Sequence, residues 1–424
     1  MRRLSSTGPR GEAESSRQRR RERGGVATLF AILLASGVVM GMLALSVDVG
    51  SIMLERRQLQ NGADATSLAL AQACAENSAD CADSGPEKAS LEALAGLNAG
   101  RDGLAQLQSR SDAANGMCGR EVPTLPECSS ATTNASITDL AECPPLPSWL
   151  TSGSGASVPY VETYTLTRST EPDDTVLPRY FSQMLTGGGA DTSVSACARA
   201  AWGPAGSTGA TLPLVIGYCE WAKKTEVDGV PGRKYAPGPP YSPAPGDSST
   251  PLPAEIAAGG YATGIFAHDS GDHKCDTGPG KYYPGGFGWI DPTGPCTVTF
   301  ADAGNVPGST GASAPGSCKD NNAIAKYVGT EVYIPIADSA SGTGSGGSFG
   351  LSGIASFYLA GYEQVPAAKP QSYAAFKQPA GVCTGKCNGS VSYIWGWFTS
   401  GLMPADTPIG TGPSRGANVV TPAG

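Results

Sequence analysis

The sequence predicts a single-pass membrane protein, with one N-terminal transmembrane helix followed by a mainly β, disulfide-containing extracytoplasmic domain. Three observations predict it. Residues 26–47, VATLFAILLASGVVMGMLALSV, contain no charge, and 22 helical residues rise ~33 Å against a hydrocarbon core of ~30 Å. Residues 1–25 carry eight arginines against three glutamates, so the positive-inside rule places the N-terminus in the cytoplasm and the remainder outside. All twelve cysteines lie beyond the apolar stretch, in a compartment that permits disulfides.

The chain then divides into a basic cytoplasmic leader (1–25), a transmembrane helix (26–48), a helical root (49–115) and a β-rich extracytoplasmic domain with Pro/Gly linkers (116–424). A cleaved signal peptide fits less well. Its apolar region would be ~7–15 residues followed by a small-residue cleavage site, whereas Val47-Asp48-Val49-Gly50-Ser51 offers none. Within the span, Gly37 and Gly41 form a G-x-x-x-G strip on which a second helix can approach closely. Glycine is also simply frequent in membrane helices.

The root is rich in helix formers from Glu55 to Ala73. Leu59, Ala63, Leu70 and Ala73 recur at near-helical spacing, a narrow stripe suited to packing on another helix. A second helical patch follows Pro86, with Leu91, Leu94 and Ala95 on one face. The root is expected to end near residue 110, and to fold back as a hairpin.

Beyond residue 115 the pattern turns to β. Residues 160–167, 214–218, 296–300, 332–336, 354–359 and 391–398 read as strands, separated by Pro/Gly loops at 228–254 and 302–317. Pro335 should sit on an edge or at a bulge. Up to six disulfides are expected, with Cys74–Cys81 and Cys383–Cys387 as local loops. Tyr393, Trp395 and Trp397 share one face of a strand and serve either a core or a binding surface.

Several function classes are disfavoured. The leader contributes +5 to a net charge of −8, leaving −13 on the exported part, so no basic face for nucleic acid is expected. The weak metal candidates His268, Asp272 and His273 lie in one polar loop beside Cys275, which is expected to be oxidised. Gly346-Gly347-Ser348-Phe349-Gly350 spells G-x-S-x-G, but no apolar strand precedes it and no histidine follows it. Gly278-Pro279-Gly280-Lys281 lacks the spacing of a P-loop. Two histidines in 424 residues are thin equipment for acid–base chemistry. No enzyme activity and no cofactor are expected.

The ordered set Arg23-Gly24-Gly25-Val26-Ala27, apolar span, Val47-Asp48-Val49-Gly50 and Leu54-Glu55-Arg56-Arg57-Gln58-Leu59-Gln60-Asn61-Gly62-Ala63-Asp64-Ala65 resembles the N-terminal module of TadE/TadG-like proteins of Flp-pilus (tight-adherence) assembly. The resemblance covers roughly residues 20–75. It implies a pilin-like, membrane-anchored structural or accessory component, with Asp48, Gly50, Leu59, Asn61 and Asp64 as module residues. Its implied partners are membrane lipid and other Tad/Flp membrane proteins or pilins. Prepilin-type processing after Gly25 would want glutamate five residues on, where Phe30 stands, so the helix is expected to remain as an anchor. The von Willebrand-type metal motif of some members, D-x-S-x-S, is not met by Asp338-Ser339-Ala340-Ser341. The alternative is a cell-surface binding protein or adhesin that shares only the anchor. An exported hydrolase is the weakest reading.

Overall fold

The structure, a computed structural model, describes residues 25–32, 38–76, 81, 86–97, 106–107, 116–128, 143–151, 157–166, 194–209, 211–243, 249–267, 274–276, 282–284, 287–309, 313–320, 322–341, 347–383 and 391–424. Residues 25–32 are helical. A 39-residue helix, α1 (Val38–Glu76), follows, and α2 (Pro86–Leu97) packs against it. The Cys74–Cys81 disulfide staples the end of α1 to the connection, as the close spacing of the two cysteines suggests.

The helical root ends earlier than its composition suggests. After α2 the chain forms β1 (Gln106–Leu107), which pairs with β3 (Tyr160–Leu166), so the root reaches Leu97 and not residue 110. β1 belongs to a six-stranded sheet in the order β1–β3–β4–β16–β15. Its other members are β2 (Met117–Arg120), which also pairs with β3, together with β4 (Ser195–Pro204), β15 (Gly401–Met403) and β16 (Ala417–Pro422). The last strands of the chain thus complete a sheet begun by the first, closing the ectodomain on itself.

Strand alternation gives this sheet two different faces. Val161, Thr163 and Thr165 of β3 sit opposite Ala200, Ala198 and Ala196 of β4. Val161 and the three alanines pack in one cluster with Leu59, Ala63 and Leu70 of α1. Tyr160, Glu162 and Tyr164 pair with Ala201, Arg199 and Cys197, and these belong to the opposite face.

A second, eight-stranded sheet runs β6–β14–β12–β11–β5–β9. Its central strand is β12 (Ser348–Glu363), flanked by β11 (Thr330–Ser341) and β14 (Tyr393–Thr399). β5 (Leu214–Gly217), β6 (Thr263–Phe266) and β9 (Phe287–Trp289) extend it, and β10 (Ala303–Pro307) and β13 (Tyr373–Ala374) also pair with β12. β7 (Lys274–Asp276) and β8 (Tyr282–Pro284) make a separate hairpin.

Tyr393, Trp395 and Trp397 are buried in the core of this second sheet, which decides between their two readings. Trp397 stacks on its cross-strand partner Tyr358 with ring centroids 4.7 Å apart. Between the two tryptophans, a Cβ at Gly396 would collide with the carbonyl oxygen of Tyr358, so this strand pair closes only around glycine. Pro335 sits at a register shift between β11 and β12, the bulge its missing N–H requires.

Two expectations fail locally. Residues 296–300 form isolated bridges and no strand: Cys296 adopts φ 54° and is disulfide-bonded to Cys318, which turns the chain instead of extending it. The loop expected at 302–317 contains β10, which lies along the first half of β12. Cys118–Cys128 and Cys143–Cys197 are also paired, and Cys219 and Cys383 are disulfide-bonded. Cys387 lies outside the described residues.

Candidate functional site

The long helix changes character along its length. From Met42 to Leu54 its large apolar side chains, Met42, Leu43, Leu45, Val47, Val49, Met53 and Leu54, are exposed, and so are Val26, Leu29, Phe30 and Ile32 before them. Among the described residues nothing else covers them. Soluble surfaces rarely expose contiguous apolar area on this scale.

From Glu55 onward the helix is one-sided. Glu55, Leu59, Ala63, Thr66, Leu70 and Cys74 are buried at spacings of three and four, while Arg56, Arg57, Asn61 and Asp64 remain outside. The buried stripe meets the alanine face of β4. Small residues on both sides bring helix and sheet close enough for side-chain-to-backbone bonds. Thr163 Oγ1 donates to the carbonyl of Ala63 and Thr165 Oγ1 to that of Leu59, each at 2.9 Å. Gln60 Nε2 donates both to the Cys197 carbonyl and to Asp64 Oδ1, each at 3.0 Å. Asn418 Nδ2 of β16 donates at 2.9 Å to the carbonyl of Ala75, serving one of the orphan carbonyls at the end of α1.

The stripe packs on another helix, α2, and in addition on the chain's own sheet. Leu59 and Ala63 are fully buried between α2 and the first sheet. Hydrophobic periodicity reports that a face is covered but not by what. Gly37 lies outside the described residues, and Gly41 is half-buried. Asp48 is buried. Gly50 is exposed, and a Cβ built there meets nothing within 4 Å.

Gly50 thus has no packing duty among the described residues. Gly50→Ala is expected to leave the fold intact and to stabilise α1 by ~1 kcal/mol through helix propensity. Thermal unfolding followed by circular dichroism checks this. A loss of stability would reveal a contact at Gly50 that the fold does not contain.

On the far face of the first sheet lies a buried ion pair that sequence reasoning missed. Arg199 donates to Glu162 Oε1 from Nε at 2.9 Å and from Nη2 at 2.5 Å, with both side chains about 5 % exposed. Tyr164 donates to Glu162 Oε2 at 2.5 Å, and Arg199 Nη1 donates to the Pro144 carbonyl at 3.1 Å and that of Ala423 at 3.3 Å. The available signal was one acid and one base, each alone in an otherwise uncharged strand. Burial raises the Tyr160 hydroxyl above its ordinary pKa; the nearby Glu162 carboxylate adds to the rise, and Arg199 and Arg120 oppose it.

Cys118, Cys128 and Glu162, and likewise Cys143, Cys197 and Glu162, bring potential metal-ligand atoms within 4.8 Å of one another. All four cysteines are in disulfides and have no thiolate to offer. His268, Asp272 and His273, and Gly278–Lys281, lie outside the described residues. Ser348 begins β12 and shares a 2.8 Å hydrogen bond with Ser341 across the β11 pairing, a ladder position and not a strand-to-helix elbow.

Residues 24–73 match the family model described as putative Flp pilus-assembly TadE/G-like. The N-terminal module is thus of this type, and the match spans the exposed apolar segment together with most of the seam. No curated protein and no solved structure matches the chain. No helix among the described residues is long and apolar enough to cross a membrane. Residues 33–37, inside the expected span 26–47, are outside that description, which divides the span into residues 25–32 and the start of α1.

Proposed function

We propose that the chain is a membrane-anchored structural component of Flp/Tad-type pilus assembly. The TadE/G-like match over residues 24–73 supports a role in that machinery and a place in the cell envelope. The observation that carries the anchor is the set of uncovered apolar side chains at Val26–Ile32 and Met42–Leu54, the latter immediately preceding a helix face that is covered. In water such a surface is a liability; in lipid, or against neighbouring membrane helices, it is satisfied. The arginine-rich leader fits a cytoplasmic N-terminus, which puts the two sheets on the outer side.

In this reading α1 is a single lever. Its first part is held in the bilayer, and its second part is fixed to the first sheet by apolar packing and the bonds from Thr163, Thr165 and Gln60. A displacement of the membrane helix is passed to the ectodomain without a hinge. Lateral partners in the bilayer, other Tad/Flp membrane proteins or pilins, would use the strip at Gly37 and Gly41. No catalytic role is assigned.

The test is deletion of the gene in its host, imaging of surface filaments, and complementation. The wild-type copy is expected to restore filaments, and Gly37→Leu/Gly41→Leu to reach the membrane but restore few or none. Unchanged filaments after deletion would remove the assembly role and leave the ectodomain as a surface binding module.

A further inference from the structure

Away from the anchor, where the two sheets meet, a groove of about 500 Å³ opens between residues 207–209 and 211, the start of β11 and the segment 403–408. That volume lies within the range of small-molecule sites. Its walls are fixed by backbone bonds: Thr208 N donates to the Phe300 carbonyl at 2.8 Å, Gly206 N to that of Pro408 at 2.7 Å, and Thr407 N to that of Pro404 at 2.9 Å.

The lining combines aromatic rings, carboxylates and hydroxyls. Tyr327 and Tyr333 have their phenol hydroxyls donated to the Cys296 and Leu402 carbonyls, both at 2.9 Å, so what they offer a ligand is mainly ring surface, one face of Tyr327 being covered by the Lys326 ammonium at 4.9 Å from the ring centroid. Glu331 accepts from Thr399 Oγ1 at 2.5 Å, which fixes its carboxylate while leaving lone pairs for further donors. Thr208 Oγ1 accepts from Phe300 N at 2.9 Å and keeps its own O–H to donate. Asp406 and Thr407 stand on the opposite rim, with Asp406 exposed. Among the described residues no Lys, Arg or His lines the groove, and neither Glu331 nor Asp406 has a cationic partner.

These groups select by exclusion. Two carboxylates without a base repel phosphates and other anions. A purely apolar guest would leave the carboxylates and threonine hydroxyls desolvated without partners. A polyhydroxylated guest with an apolar ring face satisfies both sets: its hydroxyls donate to carboxylates while its C–H face covers tyrosine rings.

We propose that this groove is a binding site for a saccharide that carries no negative charge. It is independent of the pilus-assembly reading, since it shares no residue with the TadE/G-like module.

The test uses the full chain in a polyoxyethylene detergent, because maltoside headgroups would themselves be ligands. Maltotriose, chitotriose, deacetylated chitotriose, sialyllactose and an oligolysine peptide are titrated by calorimetry, with saturation-transfer NMR to map the contact. At least one of the first three is expected to bind, sialyllactose at least tenfold more weakly, and Tyr327→Ala to weaken binding tenfold or more. Should Tyr327→Ala misfold, the Asp406→Asn/Thr407→Val double variant, confined to the rim, is expected to show the same direction. Binding only by oligolysine, no binding by any sugar at millimolar concentration, or binding unchanged in the rim variant would overturn the proposal.

Discussion

Glu162→Ala is expected to be the most damaging single change in the first sheet, costing about 3–5 kcal/mol. Removing the carboxylate leaves the Arg199 guanidinium buried with the Pro144 and Ala423 carbonyls as its remaining acceptors among the described residues, and it also removes an acceptor from Tyr164. An unpaired buried charge costs far more than the net worth of the pair it came from. The double variant Glu162→Gln/Arg199→Met should therefore be less destabilised than Glu162→Ala alone. Equilibrium urea unfolding of the detergent-solubilised chain, followed by circular dichroism, measures both. A cost below about 1 kcal/mol for Glu162→Ala would mean that water reaches the pair, contrary to its burial.

The second large effect is expected at the seam between helix and sheet. Leu59 is fully buried at the point where Thr165 grips the helix backbone. Leu59→Ala removes its transfer energy and leaves a cavity between elements that cannot easily collapse, a cost of about 2–5 kcal/mol. The consequence reaches beyond stability, because this is the joint between anchor and ectodomain. Hydrogen exchange should show faster opening of α1 amides from Leu59 to Cys74 while β11, β12 and β14 keep their protection. Exchange rising equally in the second sheet would mean that the two sheets unfold as one unit and that the seam is not a separate joint. Overpacking from the other side, Ala198→Leu, should open the same amides at a cost of about 1–3 kcal/mol.

Much of this architecture was legible because short-range physics wrote it. The apolar run, the helix-forming stretch after Asp48 and the alternating strands at 160–166 and 393–399 each declare themselves within a dozen residues. So did Cys74–Cys81, close neighbours beside a helix end. What sequence could not show is who meets whom. Leu59, Ala63 and Leu70 announce a covered face, but β3 and β4, which cover much of it, lie about 100 residues or more further on. Cys143 and Cys197 are 54 residues apart, and no spacing argument selects that pair among twelve cysteines.

The lost strand at 296–300 has a similar origin. Its β-prone residues read correctly in isolation, and a long-range disulfide at Cys296 overrode them. The groove was invisible for the same reason. Its walls come from three segments spread over about 200 residues, none carrying a motif. The module residues divide in an informative way: Leu59 works at the seam, whereas Asn61, Asp64 and Gly50 face outward. The outward residues are where requirements from outside this chain would act.

The most direct measurement of the central claim is a protease-protection assay on the full chain in its host, with an epitope tag ahead of Met1. Protease added to spheroplasts is expected to remove the ectodomain while leaving a small tagged fragment, and alkaline carbonate should fail to extract that fragment from the membrane. Loss of the tag in intact spheroplasts, or release of the whole chain by carbonate, would contradict an N-inside anchor at residues 26–48. The exposed apolar helix would then have to be covered by protein and not by lipid.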